Sequence, residues 1–209
     1  AAWEAGWFAD EVSAVVNAKW ELEDYQPRTL KLADRATAFE CDGHVRQTSL
    51  ETLQKLEPAF GGVQTGGNSS AIVDGAAAVI VARGDWVRAH GLQPLARIVA
   101  GAVVAVPPEI MGIGPAPAIR AAARIAGITV GDIGRIEINE AFGAQYLACE
   151  RELGLDRDRT NVHGGAIAIG HPLGASGVRL THTVARAAHE AGLQYGVSSA
   201  CAGGGQGVA

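Results

Sequence analysis

Three short segments of this chain combine acid/base side chains with glycine in patterns suited to chemistry. Asn139-Glu140-Ala141-Phe142 stands where a strand pattern gives way to a helix pattern, and ligands of α/β proteins commonly sit at the carboxyl ends of strands. His171 is wedged between Gly170 and Pro172, after Gly164-Gly165-Ala166-Ile167-Ala168-Ile169 and before Leu173-Gly174-Ala175-Ser176-Gly177. A helix starting there aims free N–H groups and their partial positive charge at the ring. That charge disfavours an imidazolium and leaves the neutral imidazole that a general base requires. Cys201-Ala202-Gly203-Gly204-Gly205-Gln206-Gly207 follows an apolar strand pattern. A thiol there can pass a proton, and glycine N–H groups can face an oxyanion. Each segment also has a plain reading. Asn139 or Glu140 can cap a helix, His171 can make a local turn hydrogen bond, and Cys201 can be a small buried hydrophobe. The last loop lacks the Gly-Lys-Ser/Thr ending of a phosphate loop, so nucleotide hydrolysis has no support.

The elements that must hold these loops are regular only from about Ser69 onward. Upstream, the opening Ala1-Ala2-Trp3-Glu4 reads as the middle of a helix, which predicts that the gene begins further back. The remainder of the first 50 residues reads as irregular. Thr48 to Leu56 has helical spacing, with Leu50, Leu53 and Leu56 on one face. Ala76 to Val81 and Ala96 to Val106 are continuous apolar runs suited to strands buried on both faces. Helices are expected over Asp85–His90, Pro115–Ala126, Ala141–Leu153 and Leu173–Ala191, stopped in three cases by Gly91, Gly127 and Gly154. Arg135–Ile138 alternates like a strand, and Tyr195–Ala200 is a last one. Strands alternating with helices predict an α/β fold around a largely buried sheet.

Composition narrows the class. With 209 residues, 48% of them apolar, the chain is long enough for a substantial core and too apolar for a disordered tail. A formal charge of −5 with scattered Lys and Arg argues against nucleic acid as a partner. No apolar stretch reaches the roughly 20 residues of a membrane span. Cys41, Cys149 and Cys201 are odd in number and lack metal-like spacing, which predicts free thiols, no metal, and a reducing compartment such as the cytoplasm or an organelle matrix.

Taken together, in this order and spacing, the three segments resemble the thiolase family. That family carries Asn-Glu-Ala-Phe, Gly-Gly-Ala-Ile-Ala-x-Gly-His-Pro-x-Gly-Ala-Ser-Gly and Cys-x-Gly-Gly-Gly-x-Gly motifs, all present here almost letter for letter. Gly67-Asn68-Ser69-Ser70, Asp74-Gly75-Ala76-Ala77-Ala78 and Met111-Gly112-x-Gly114-Pro115 extend the resemblance over nearly the whole chain. It implies an α/β, thiolase-like layered αβαβα fold, of which this chain holds the C-terminal half plus part of the loop domain. Residues 1–70 would end the loop domain, 71–93 would be the last segment of the N-terminal core domain, and 94–209 the C-terminal domain.

The resemblance also implies an activity: thiolytic cleavage of 3-ketoacyl-CoA, or the reverse Claisen condensation, within fatty acid β-oxidation or related lipid metabolism. Coenzyme A would be a co-substrate, with no permanently bound cofactor. His171 would activate the nucleophilic cysteine, and Cys201 would manage the proton at the acetyl α-carbon. Asn139 would hold a water that forms one oxyanion hole with His171, and the Gly203 N–H would serve a second. Ser70 and Phe142 would contact the pantetheine arm of CoA, Arg46 would lie near its nucleotide, and Met111 would line the acyl pocket. An exposed surface Arg and a core Met are the plain readings of the last two.

Departures from the family pattern matter as much. The nucleophile motif, Cys-(Ser/Ala)-Ser-Gly, is absent; Cys41 precedes Asp42-Gly43, and Cys149 lies in a helix pattern. His163 stands where the family usually has Asn, and the chain is expected to stop before a short closing strand. These residues alone are thus expected to be inactive without a nucleophile-bearing N-terminal half, in the same or a separate polypeptide. Without that half a broad apolar face would be exposed, with poor solubility as the result. A homo-dimer or tetramer is expected. The rival readings are an inactive CoA-binding or scaffold module and a ketoacyl-synthase-like condensing enzyme; the latter usually has a second histidine where Cys201 stands.

Overall fold

The computed structural model describes residues 1–21, 23–24, 26–32 and 35–209. The chain divides into two compact units, Ala1–Gln47 and Thr48–Ala209. In the first, the expected helix at the start is instead a run of hydrogen-bonded turns through residue 11. Tilted and edge-on contacts of Phe8 with Trp3 and Trp7 hold it together. Two small antiparallel ladders follow, β1 (Val15–Val16) with β4 (Ala38–Phe39) and β2 (Ala18–Trp20) with β3 (Arg28–Leu30). Asn17 ties them locally, accepting from the Leu32 N–H and donating to the Ala36 carbonyl. None of the described residues of this unit is buried.

The second unit contains α1 (Leu50–Leu53), α2 (Gly84–Ala89), β5 (Val103–Ala105), α3 (Pro115–Ala126), β6 (Arg135–Ile138), α4 (Gly143–Leu153), α5 (Ala166–Ile169), α6 (Ser176–Glu190), β7 (Gly196–Ala202) and β8 (Gln206–Val208). Four strands form one sheet in the order β5-β8-β7-β6; β6 and β7 run parallel and the other pairs antiparallel. The register Ile136↔Val197 and Glu137↔Ser198 decides which side chains share a face. Ile136 and Ile138 point to α3 and α4, where they meet Ile119, Ala123 and Cys149. Complete burial of Ile119, Ile136 and Ile138 is worth about 1.5–3 kcal/mol apiece. The opposite face takes α6, whose Val184 and Ala188 pack on Gly196. Pro115 starts α3, and Gly127 and Gly154 end α3 and α4 in the left-handed conformation, as the sequence predicts.

Several expectations fail. Ala76 to Val81 forms no strand; it is exposed throughout, with Ile80 97% exposed. Its apolar composition says that it is to be buried, but a strand also needs a neighbour for its N–H and C=O groups, and no described residue supplies one. Of Ala96 to Val106 only Val103–Ala105 is a strand, the part that reaches β8. The Leu50, Leu53, Leu56 face is also reduced: α1 is a single turn, and Leu50 is 67% exposed. Helix α6 begins at Ser176 rather than Leu173, because the Pro172 turn comes first.

The glycine-rich tail is a hairpin, not an open loop. Cys201 lies inside β7, opposite Gly207, and Gln206–Val208 is a strand between β5 and β7. The expectation that Tyr195–Ala200 is the last strand is therefore corrected: the strand runs Gly196–Ala202 and another follows it. Glycine is needed at 207 because β8 crosses Gly114 so closely that a Cβ would overlap the Gly114 carbonyl. Gly207→Ala is expected to cost about 1–3 kcal/mol, the range for overpacking a fixed backbone contact. A urea midpoint equal to that of the unsubstituted protein would refute this.

Candidate active site

The parallel pair β6–β7 sends its carboxyl ends the same way, and the site grows from that edge. Asn139 follows β6 directly, is almost fully buried, and its N–H donates to the Ser199 carbonyl of β7 at 2.9 Å. Cys201 stands two residues beyond Ser199 on the same strand. The Asn139 Nδ2 lies 3.4 Å from His171 Nε2, whereas its Oδ1 is buried without a partner.

On the other side of the ring, His171 Nδ1 is 2.6 Å from the Ser176 Oγ. The Ser176 hydroxyl hydrogen is committed to the Pro172 carbonyl at 3.1 Å, so its oxygen accepts from the imidazole. With the serine hydrogen on Pro172 and the Asn139 amide nitrogen beside Nε2, both neighbours favour a neutral ring protonated on Nδ1. This is the tautomer of a base whose working nitrogen is Nε2. Burial, and after it the charge of Arg179, holds the His171 pKa below its ordinary value. The expected direction holds, but its causes are burial and a side-chain cation rather than a helix terminus.

Burial likewise raises the Cys201 thiol, which is half-buried and free. It remains a thiol at neutral pH and suits an acid rather than a resting thiolate. Cys149 is a core residue: its Sγ donates to the Gly112 carbonyl at 3.3 Å, and burial raises its pKa too. Cys41 is exposed in the first unit.

Backbone holds the two loops together. Residues 68–72 run between them as a strap. The Asn68 carbonyl accepts from Gly143 N–H, Ser70 N–H donates to the Ala141 carbonyl, and the Ala71 carbonyl accepts from His171 N–H at 2.8 Å. The cap reading of Asn139 and Glu140 fails, since Phe142 occupies the cap position of α4 and no side chain caps that helix. The Glu140 carboxylate instead accepts from Asn161 Nδ2 at 3.0 Å and from the Ile167 N–H at 3.1 Å. It fits only because residue 165 is glycine, where a Cβ would overlap the carboxylate.

Residues 92–209 match the family described as "Thiolase, C-terminal domain", and residues 1–85 the one described as "Thiolase, N-terminal domain". The chain belongs to the thiolase family. It is 48% identical to the mitochondrial 3-ketoacyl-CoA thiolase of Homo sapiens, over all of this chain and 50% of that protein. Against the acetyl-CoA acetyltransferase of Paracoccus denitrificans it is 43% identical over all of this chain and 51% of that protein. The crystal structure of the human mitochondrial 3-ketoacyl-CoA thiolase in complex with CoA superposes with a TM-score of 0.87 at 46% identity, covering 99% of this chain and 49% of that one. The fold is thus thiolase-like α/β, and the chain spans about half the length of the curated relatives it matches.

Other residues singled out from the thiolase motifs have mixed settings. Ser70 Oγ donates to the Ala141 carbonyl at 3.2 Å, beside Phe142, which is 37% exposed and bridged to Ser69. Met111 is half-buried in the 3-10 stretch Pro108–Ile113, and Gly203 opens the exposed turn after β7. Arg46 belongs to the first unit, where it is exposed. Residue-type reasoning missed Ser176 as the ring's anchor and Glu140 as the tie between loops; both stood inside the quoted motifs. Glu140→Leu removes two hydrogen bonds to a charged acceptor, each worth about 1.5–3 kcal/mol. Faster hydrogen exchange across residues 164–170 is the expected result, and unchanged exchange would rule the tie out.

Proposed function

We propose that the protein to which these residues belong is an acyltransferase that cleaves 3-ketoacyl-CoA with coenzyme A, or runs the reverse condensation, with its nucleophilic cysteine outside these residues. The observation that carries this reading is the imidazole of His171, held between the Ser176 hydroxyl at Nδ1 and the Asn139 amide at Nε2. His171 takes the proton of the nucleophile, and a water held by Asn139 joins it in stabilising one oxyanion. The unpartnered, buried Asn139 Oδ1 supports that water. Cys201 delivers the proton to the departing acetyl enolate, and the Gly203 N–H faces the second oxyanion.

CoA enters as co-substrate past Ser70 and Phe142, with Arg46 near its nucleotide and Met111 against the acyl chain. The CoA complex of the human relative supports CoA as the ligand. Residues 1–70 end the loop domain, 71–93 the N-terminal core, and 94–209 form the C-terminal domain. The exposed apolar runs around Ile80 and Ile98 support a missing half packed against them. The chain works as a dimer or tetramer, and three free thiols support a reducing compartment, cytoplasm or organelle matrix. A silent CoA-holding module would have no use for a fixed imidazole tautomer.

The test is intact mass on a denaturing column, followed by acetoacetyl-CoA cleavage with added CoA. A mass near twice 21.5 kDa, or a second polypeptide, together with cleavage supports the proposal. A single species of 21.5 kDa that binds CoA and cleaves nothing overturns it.

A further inference from the structure

Strand β6 ends its sheet, and one side chain closes its free edge. Asn139 directs its N–H to Ser199 of β7. Peptide groups of alternate residues on a strand face opposite ways, so those of Ile136 and Ile138 point away from β7. Ile138 is almost fully buried, where an unpaired N–H or C=O is costly. Along that edge only a single bridge, Ile136 to Thr160, is formed among the described residues. Asn161 supplies the remaining partners. Its N–H donates to the Ile136 carbonyl at 2.9 Å. Its Oδ1 accepts from the Ile138 N–H at 2.8 Å, and its Nδ2 donates to the Ile138 carbonyl at 2.9 Å. The same Nδ2 donates to the Glu140 carboxylate at 3.0 Å. These partners admit only one orientation of the amide. To reach them, Asn161 adopts the left-handed conformation, φ +49°, which Asn tolerates better than most side chains. Glu140 in turn accepts from the Ile167 N–H of α5, the short helix that leads through Gly170 into His171. One carboxamide is therefore fastened to the residue before Asn139 and, through Glu140, to the segment that carries His171.

We infer that Asn161 is a positioning residue for the proposed oxyanion pair: by closing the edge of β6 at Ile138 and holding Glu140, it sets Asn139 Nδ2 and His171 Nε2 at their separation of 3.4 Å. The inference rests on Asn139 and His171 as the working groups, but their contact can be read without turnover. In the intact protein, the nitrogen-15 signal of His171 Nε2 reports the Asn139 amide beside it, and kcat and KM report its use.

Asn161→Gly accepts the left-handed backbone and removes the carboxamide. It is expected to lower kcat for acetoacetyl-CoA cleavage about 100-fold, with KM within about threefold, the effect of displacing reacting groups by about 1 Å. The Nε2 signal is expected to move downfield as the ring nitrogen loses its donor. If Asn161→Gly does not fold, Asn161→Asp decides. It keeps an acceptor for the Ile138 N–H, has no donor for Glu140, and is expected to give the same losses. Adding Glu140→Gln to Asn161→Asp restores the contact in the reverse direction, the new amide donating to the new carboxylate. That pair is expected to recover about tenfold of the lost kcat, the worth of one hydrogen bond to a charged group. An unmoved ring signal in a folded Asn161 variant overturns the inference, whether or not kcat falls, and so does a double variant without recovery. A moved ring signal with kcat unchanged supports the positioning and overturns the assigned base instead.

Discussion

Replacing His171 by alanine is expected to lower kcat/KM for acetoacetyl-CoA cleavage about 10³-fold, within the range for loss of a positioned general base. The expectation follows from geometry before family. Nδ1 is saturated by Ser176, whose own hydrogen is committed to Pro172, so only Nε2 is left to accept a proton. The pH profile carries a second check. Burial and then Arg179 disfavour the imidazolium, so the folded pKa lies below the ordinary 6.5. The neutral base therefore persists as pH falls through 6.5, and the acid limb of kcat/KM begins only below that value. Linkage gives the same sign for stability. The unfolded ring binds its proton at higher pH than the folded one, so folding weakens as pH drops below 6.5. An acid limb above 6.5 in the unsubstituted protein, or an alanine variant within tenfold of it, would sink this account.

How much of this was legible beforehand depends on what each feature is made of. Asn139, His171 and Cys201 stood out as candidates because their side-chain types, framed by glycine, are themselves the signal. Helices α3 and α4 could be read because periodicity and a glycine stop are local. The strap over residues 68–72 could not, since its bonds are backbone to backbone across some 70 to 100 residues, and Ala71 carries no mark of its hold on His171. Apolar runs told of burial without telling against what. Ala76 to Val81 carries the composition of a buried strand and stays exposed, because composition does not specify a neighbour. The hairpin of β7 and β8 was obscured for another reason. Its glycines looked like freedom for a ligand loop, whereas Gly207 is there for the close crossing with Gly114.

The roles proposed for His171 and Cys201 can be separated by asking which bond each serves. Exchange of an acyl group between CoA thiols breaks and remakes a thioester and leaves carbon–carbon bonds alone. Thiolysis of a 3-ketoacyl-CoA also breaks a carbon–carbon bond, and the departing acetyl enolate must gain a proton at its α-carbon. A thiol raised by burial, held at the carboxyl edge of β7 and protonated through neutral pH, is suited to that second step alone. Cys201→Ala is therefore expected to lower acetoacetyl-CoA cleavage about 10²- to 10⁴-fold, the span for a general acid, and to abolish exchange of the acetyl-CoA methyl protons with solvent. Acyl exchange between CoA thiols should stay within about tenfold, because His171 alone serves it. His171→Ala should depress both reactions. Equal loss of acyl exchange and cleavage in Cys201→Ala would merge the two residues into one function. Full cleavage in that variant would return Cys201 to the status of a small buried side chain, since a proton source at the α-carbon cannot be removed without slowing the step that needs it.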